Sequence, residues 1–415
     1  MQAAIFIFYL IFFSFLISVI PFFKTSVIGR RLLIFLFFIK IFAGVAYARF
    51  YTLPKYYPGS DTWRFFKLSL DETKWLLRDP AAFVRDIFIY GYNKSGNLFS
   101  GQNTYWNDLK SNVIVKIIAV INICTNNSYY ADIIFFNFLF LFGLVALFRT
   151  FHQIFPGKKL LIIAGIFLLP STLFWCSGIH KDGLILSATG IIIYTFYKSV
   201  KNKFSLKRIS IILLSILAVF SLRNYVFFAL IPALLSWWLC EKYQDNNIRI
   251  FSSVYIIGIA FVFIITLVFP SINFLSYIVS KQHEFLLLEG DSKVSMSRLQ
   301  PTIISFVAFI PDALDMAFLR PHINETKNIN YIPAIIENLL FLLLLSLSII
   351  YLRKLPSDPV ILVLFFFPIS LMLLSGYTIP YTGAIVRYKS FVLPLLITPL
   401  LLNMANVFSL NRKYK

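Results

Sequence analysis

The sequence predicts an all-α integral membrane protein of about eleven transmembrane helices, with two long loops that carry interfacial helices. Three observations carry this. The 415 residues are 59% hydrophobic and only 13% charged, where a soluble domain of this length carries about 25% charged residues. Mean hydropathy is +0.79. Apolar runs near the spanning length of about 18 residues recur from end to end. The chain reads as a single polytopic membrane domain, 1–415, because the two long loops interrupt it without the composition of a soluble domain.

In chain order the runs are about 2–23, 32–50, 130–148, 160–176, 183–198, 209–222, 225–240, 251–270, 332–352, 359–376 and 390–408. The first lacks a basic leader and a small-residue cleavage site, so it reads as a membrane helix rather than a removable signal. Ile209 to Cys240 is too long for one span and short for two, with Arg223 in its middle. We read it as a tight hairpin turning at Arg223. The first long loop, 51–129, is rich in Trp and Tyr. Within it "LDETKWLLRDPAAFVRDIFIYGY" has helical apolar spacing and "SNVIVKIIAVINI", 111–123, looks like a second amphipathic helix. The second long loop spans 271–331.

Charge orients the runs. Alternate connections hold 18 basic residues, from Lys24, Arg30 and Arg31 through Arg353 and Lys354 to Arg412, Lys413 and Lys415, against three acids, Glu241, Asp245 and Asp358. Such connections face the cytoplasm. The N-terminus and both long loops are then outside and the C-terminus inside. The net charge of +20 is explained by this distribution; without a basic soluble face, nucleic acid is excluded as a partner.

This orientation gathers unusual polar residues on one side. "PGSDTW" sets Asp61 after a Pro-Gly turn, where it reads as a helix cap, a catalytic base or a metal carboxylate. "FWCSGIHKDGL" joins two apolar runs and carries His180, Lys181 and Asp182. His180 can move a proton, Lys181 can hold a phosphate or snorkel, and Asp182 suits a helix N-terminus. Arg223, Arg298, Arg320, His322 and Arg387 form a third group. Arginine grips phosphate with two parallel hydrogen bonds, yet it also anchors helices at a membrane surface. Lys40, inside the second run, has no evident role. We expect His180 and Lys181 to converge with Arg223, Arg320 and Arg387 around one outer-face cavity.

Phosphate loops, dinucleotide fingerprints, HExxH and GxSxG are missing, and Cys124, Cys176 and Cys240 show no metal spacing. ATP-driven pumping and haem or zinc catalysis are therefore set aside.

"GSDTW" in a large first outer loop is similar to the acidic residue of GT-C superfamily glycosyltransferases. "PSTLFWCSGIHKDGL", "AFLRPHINET…AIIENLL" and "GAIVRYKSFVLPLL" resemble short blocks of polysaccharide-biosynthesis membrane proteins, and the whole pattern resembles bacterial glycan-assembly proteins, either those transferases or the O-antigen and exopolysaccharide polymerases. The blocks cover about a fifth of the chain. The resemblance implies a bacterial inner-membrane enzyme with periplasmic long loops. Its partners would be a lipid-linked sugar donor, a glycan or lipid acceptor, and membrane lipids. In a transferase Asp61 would be the base or the ligand of a divalent metal, with no other cofactor. In a polymerase Arg223, Arg320 and Arg387 would hold lipid diphosphates. Two spans precede the acidic loop where transferases typically have one, and no DxD or ExD pair accompanies Asp61. A lipid-linked oligosaccharide flippase or transporter is the rival class, with charges at mid-membrane depth; an envelope acyl- or phosphoethanolamine-transfer enzyme is a third.

Overall fold

The computed structural model describes residues 1–89, 105–269, 273–325, 329–351 and 358–413. Arg353, Lys354 and Lys415, used above to orient the chain, lie outside them. So do the "YGY" that ends the first expected loop helix and Thr326 of "AFLRPHINET". The described residues are helical, with one isolated antiparallel bridge between Lys293 and Tyr381 and no strand. Among the described residues eight helices are long and apolar enough to cross a membrane, or nine if one bent pair is a single span.

The chain falls into two compact units, the first ending at Asn224 and the second running from Tyr225 onward. The first holds α1 (Gln2–Val19), α2 (Pro21–Lys24), α3 (Arg30–Phe50), α4 (Asp61–Arg78), α5 (Pro80–Ile89), α6 (Tyr105–Thr125), α7 (Tyr129–Ile154), α8 (Lys159–Phe167), α9 (Pro170–Trp175), α10 (Lys181–Asn202) and α11 (Leu206–Leu222).

Its centre is the pair α7 and α10, both largely buried. Small residues allow their backbones to meet. A Cβ on Gly143 would lie 2.1 Å from the Ser187 Cα, and one on Gly190 would lie 2.4 Å from the Gly143 carbonyl oxygen. Close backbone approach of this kind is how membrane helices gain dispersion energy, since lipid gives them little hydrophobic incentive to associate.

The described parts of the first long loop are helical. The buried face of α4 is Thr62, Phe65, Phe66, Ser69 and Thr73, at helical spacing, and it packs on α6. Asn122 of α6 donates to Ser69 Oγ at 2.8 Å and to Thr73 Oγ1 at 3.2 Å. Lys116 is buried between Glu72 and Asp86, each at 2.9 Å, beneath the rings of Trp75 and Phe83. The stretch expected as one helix from Leu70 is two, because proline disfavours helix in the residue before it. α4 stops at Arg78, and Asp79 accepts from the Ala82 amide at 2.9 Å.

Two expected spans are broken, and a third is a continuous but short helix. Residues 160–176 are broken at Leu168–Leu169 into α8 and α9, where Pro170 starts a new helix. Residues 209–222 lie in α11, which has 17 residues. Residues 390–408 belong to two helices meeting at a 64° bend.

The second unit comprises α12 (Asn224–Tyr243), α13 (Asn247–Val268), α14 (Phe274–Leu287), α15 (Ile303–Ala308), α16 (Ile310–Leu314), a π-turn (Asp315–Leu319), two short 3₁₀ turns, α17 (Ile332–Tyr351), α18 (Pro359–Thr378), α19 (Thr382–Ser390) and α20 (Leu393–Lys413). The bent pair is α19 and α20. α13 is apolar and almost entirely exposed, as a lipid-facing helix must be.

Candidate active site

The site in the first unit starts from the break between α9 and α10. The Lys40 ammonium is buried and donates to the Cys176 carbonyl at 2.9 Å and to Ser177 Oγ at 2.8 Å. Asn137 donates to the Ser177 carbonyl at 2.7 Å. A Cβ on Gly44 would lie 2.4 Å from that same oxygen, and one on Gly178 would lie 2.1 Å from the Tyr47 ring. α3 and α7 therefore fix the segment that leads into His180.

His180 occupies the N-cap of α10, in extended backbone. Its Nδ1 lies 2.7 Å from Asp182 Oδ2 and 3.3 Å from the Asp182 amide nitrogen. One nitrogen cannot serve both as donor and as acceptor. The carboxylate contact is shorter and charge-assisted, so the proton sits on Nδ1 and is donated to Asp182. Nε2 then carries a lone pair, and it faces Asp61 Oδ2 at 3.7 Å.

Asp182 is also held from its other oxygen. The Arg223 guanidinium reaches Oδ1 at 2.5 Å, and both side chains are buried. Arg223 follows the last residue of α11, at φ −154° and ψ 91°. It meets Asp182 because α10 and α11 pack together across a short connection at Lys203, from which the two residues are nearly equidistant along the chain.

Asp61 enters from α4. The cap is Ser60, whose Oγ accepts from the Trp63 amide, and Asp61 takes the first helical position. That corrects the reading of Asp61 as the capping residue. The start of α4 is anchored by Trp63 stacked 4.0 Å from the Tyr129 ring and by a 2.5 Å hydrogen bond between Thr62 and Tyr129. Asp61 Oδ1 accepts from Arg64 at 2.9 Å. The sequence Asp182, His180, Asp61, Arg64 thus runs from the interior to the surface, with Arg223 on the second oxygen of Asp182. Side-chain exposure rises from 0% at Asp182 and 1% at His180 to 31% at Asp61 and 62% at Arg64. Lys181 is buried with its ammonium 5.0 Å from the Phe65 ring centre.

The remaining expected residues lie in the second unit. Arg320 Nε bonds Asp315 Oδ2 at 2.8 Å, and its terminal nitrogen bonds Glu325. His322 Nε2 lies 2.8 Å from Asp315 Oδ1, and its amide donates to Glu325 at 3.1 Å. Burial pushes the Asp315 carboxyl up, but bonds and charge from Arg320 and His322 outweigh burial and hold it below the usual value. The buried Lys389 ammonium donates to the Arg320 carbonyl at 2.7 Å and to Asn338 Oδ1 at 3.0 Å. Arg387 is half-buried on α19.

The structure therefore joins Asp61, His180, Asp182 and Arg223 in one unit, with Lys181 beside them, and groups Arg320 with His322 in the other. No family model, curated protein or solved structure matches the chain.

A histidine oriented by a buried carboxylate, with its second nitrogen facing a solvent-touching acid, can take a proton from a hydroxyl. An oxygen about 2.8 Å from both His180 Nε2 and Asp61 Oδ2 fits the 3.7 Å gap as the apex of a triangle. Among the described residues no group of three or more His, Cys, Asp or Glu side chains is arranged to hold a metal. Sequence reasoning missed Arg64, Lys40 and Asn137. The i, i+3 spacing of Asp61 and Arg64 was a visible signal; the acceptors of Lys40 and Asn137 were not.

Proposed function

We propose that the chain is a multi-pass inner-membrane glycosyltransferase. It moves a sugar from a polyprenyl-phosphate donor to a hydroxyl of a glycan or lipid acceptor at the periplasmic face. The N-terminus is periplasmic and the C-terminus cytoplasmic, on the charge asymmetry of the loops. The observation that carries the reading is the line Asp182–His180–Asp61, buried at one end and wet at the other.

In the reaction the acceptor oxygen attacks the anomeric carbon as the bond to the donor phosphate breaks. The phosphate leaves with the bonding pair, and the acceptor proton passes to His180 Nε2 or to Asp61. Asp182 stabilises the imidazolium that forms, and Arg223 balances the buried Asp182 charge. Arg64, exposed at the rim, is placed to meet negative charge on the leaving group. The repeat-unit polymerase reading needs arginines available for diphosphate. Arg223 and Arg320 are engaged by carboxylates, which favours the transferase.

The test uses membranes carrying the full chain and a radiolabelled polyprenyl-phosphate sugar. Asp61→Asn and His180→Gln should each lower product formation by about 10²–10⁴-fold at unchanged protein level. Full activity in both variants would remove the line from the mechanism.

A further inference from the structure

A cavity of about 430 Å³ lies in the second unit, between α14 and the segment around Arg298. That volume falls within the range of small-molecule sites, about 300–1,000 Å³. Its polar wall includes Gln282, His283, Glu284 and Arg298, and its apolar wall includes Leu286 and Leu287.

The cavity is built around one arginine. Gln282 is buried, donates from Nε2 to the Ser297 carbonyl at 3.2 Å, and accepts from the Leu299 amide at 2.8 Å. Both neighbours of Arg298 are thereby tied to α14, so the guanidinium is presented from a fixed backbone. The acid in the wall is already compensated, since Glu284 pairs with Lys281 at 2.9 Å. Among the described residues neither Arg298 nor His283 has an ion-pair or hydrogen-bond partner, and both are exposed. The cavity therefore carries uncompensated positive character. Beside it Leu287 and Leu288 are 66% and 54% exposed.

α14 begins six residues after α13 ends. An extended chain of that length spans about 20 Å, so the start of α14 lies within about that distance of the end of α13, a helix long and apolar enough to cross a membrane. Basic pockets near membrane helices suit phosphate head groups.

We propose that this cavity binds the phosphate of an amphiphile. Arg298 grips two phosphate oxygens, His283 donates to a third, and the hydrocarbon lies along Leu286 and Leu287. The site stands independently of the sugar-transfer reading. A free phosphate ion shares the head-group chemistry, and the Leu287 arm separates the two sources.

The experiment measures binding of a radiolabelled long-chain alkyl phosphate to the detergent-purified full chain, with inorganic phosphate and the matching alcohol as competitors. Arg298→Gln should weaken binding about tenfold, the loss of a charge-assisted pair, with an unchanged unfolding temperature. Leu287→Ser should weaken the alkyl phosphate and leave inorganic phosphate unaffected, and the alcohol should compete poorly. Unchanged binding in Arg298→Gln overturns the site. Equal competition by inorganic phosphate, with no effect of Leu287→Ser, overturns the amphiphile.

Discussion

At the residue scale the decisive side chain is Asp182, a fully buried carboxylate whose two oxygens face His180 and Arg223. Removing Arg223 leaves that charge uncompensated. Arg223→Met should therefore cost about 3–5 kcal/mol of stability. Arg223→Met combined with Asp182→Leu should recover most of it while product formation stays lost. Thermal unfolding in detergent reads the first effect, and a membrane assay the second. A single Arg223→Met variant as stable as the parent would show that the pair does not hold the helices together. His180 and Asp182 were legible in the sequence because charged residues are costly beside apolar runs and seldom cluster there idly, and Asp61 because it follows a Pro-Gly turn at a helix start. Lys40 was not. Its carbonyl acceptor lies 136 residues away, and a lone lysine in an apolar run looks the same whether it caps a broken helix or snorkels.

At the element scale the α7–α10 contact and the 315–325 segment each make a claim. Gly143→Ala places a methyl group into the Ser187 backbone. It should destabilise the protein by about 1–3 kcal/mol, seen as a lower unfolding temperature; an unchanged value would mean the helices separate without cost. The depressed Asp315 carboxyl has a defined sign. A carboxyl with a lower pKa in the fold adds stability above its unfolded value of about 3.9 and loses it as pH falls through the folded value. Proteolysis of the 315–325 segment should therefore stay flat from neutral pH to about 5 and rise below about 4. Asp315→Asn should expose the segment at neutral pH and erase the acid step. The amphipathic faces of α4 and α6 were legible from periodicity, whereas the stop before Pro80 was passed over because the apolar spacing continues across it. The break between α8 and α9 was signalled by Pro170 but hidden in an unbroken apolar run.

At the scale of the whole molecule the alternation of loop charge predicts which ends share a compartment. Reporter fusions after Arg208 and after Lys415 should both read cytoplasmic. An external signal at Lys415 alone would mean that the run around Arg223 crosses the membrane once. The two compact units divide at Asn224. The Asp61–Arg223 group belongs to the first unit and Arg320 and His322 to the second, each group with its own carboxylates.

Composition and apolar run length by themselves determined that this is a helical, membrane-embedded protein. Backbone groups in hydrocarbon must be satisfied within the segment, and only a long apolar helix does that for such runs. The sequence also placed His180 and Asp182 on one helix start. Tertiary structure alone decided which charges neutralise one another. Asp182 meets Arg223 and His180 meets Asp61 through the packing of α10 against α11 and the seating of α4 on α6. Electrostatic pairing depends on separations of a few ångströms, and distance along the chain does not encode them.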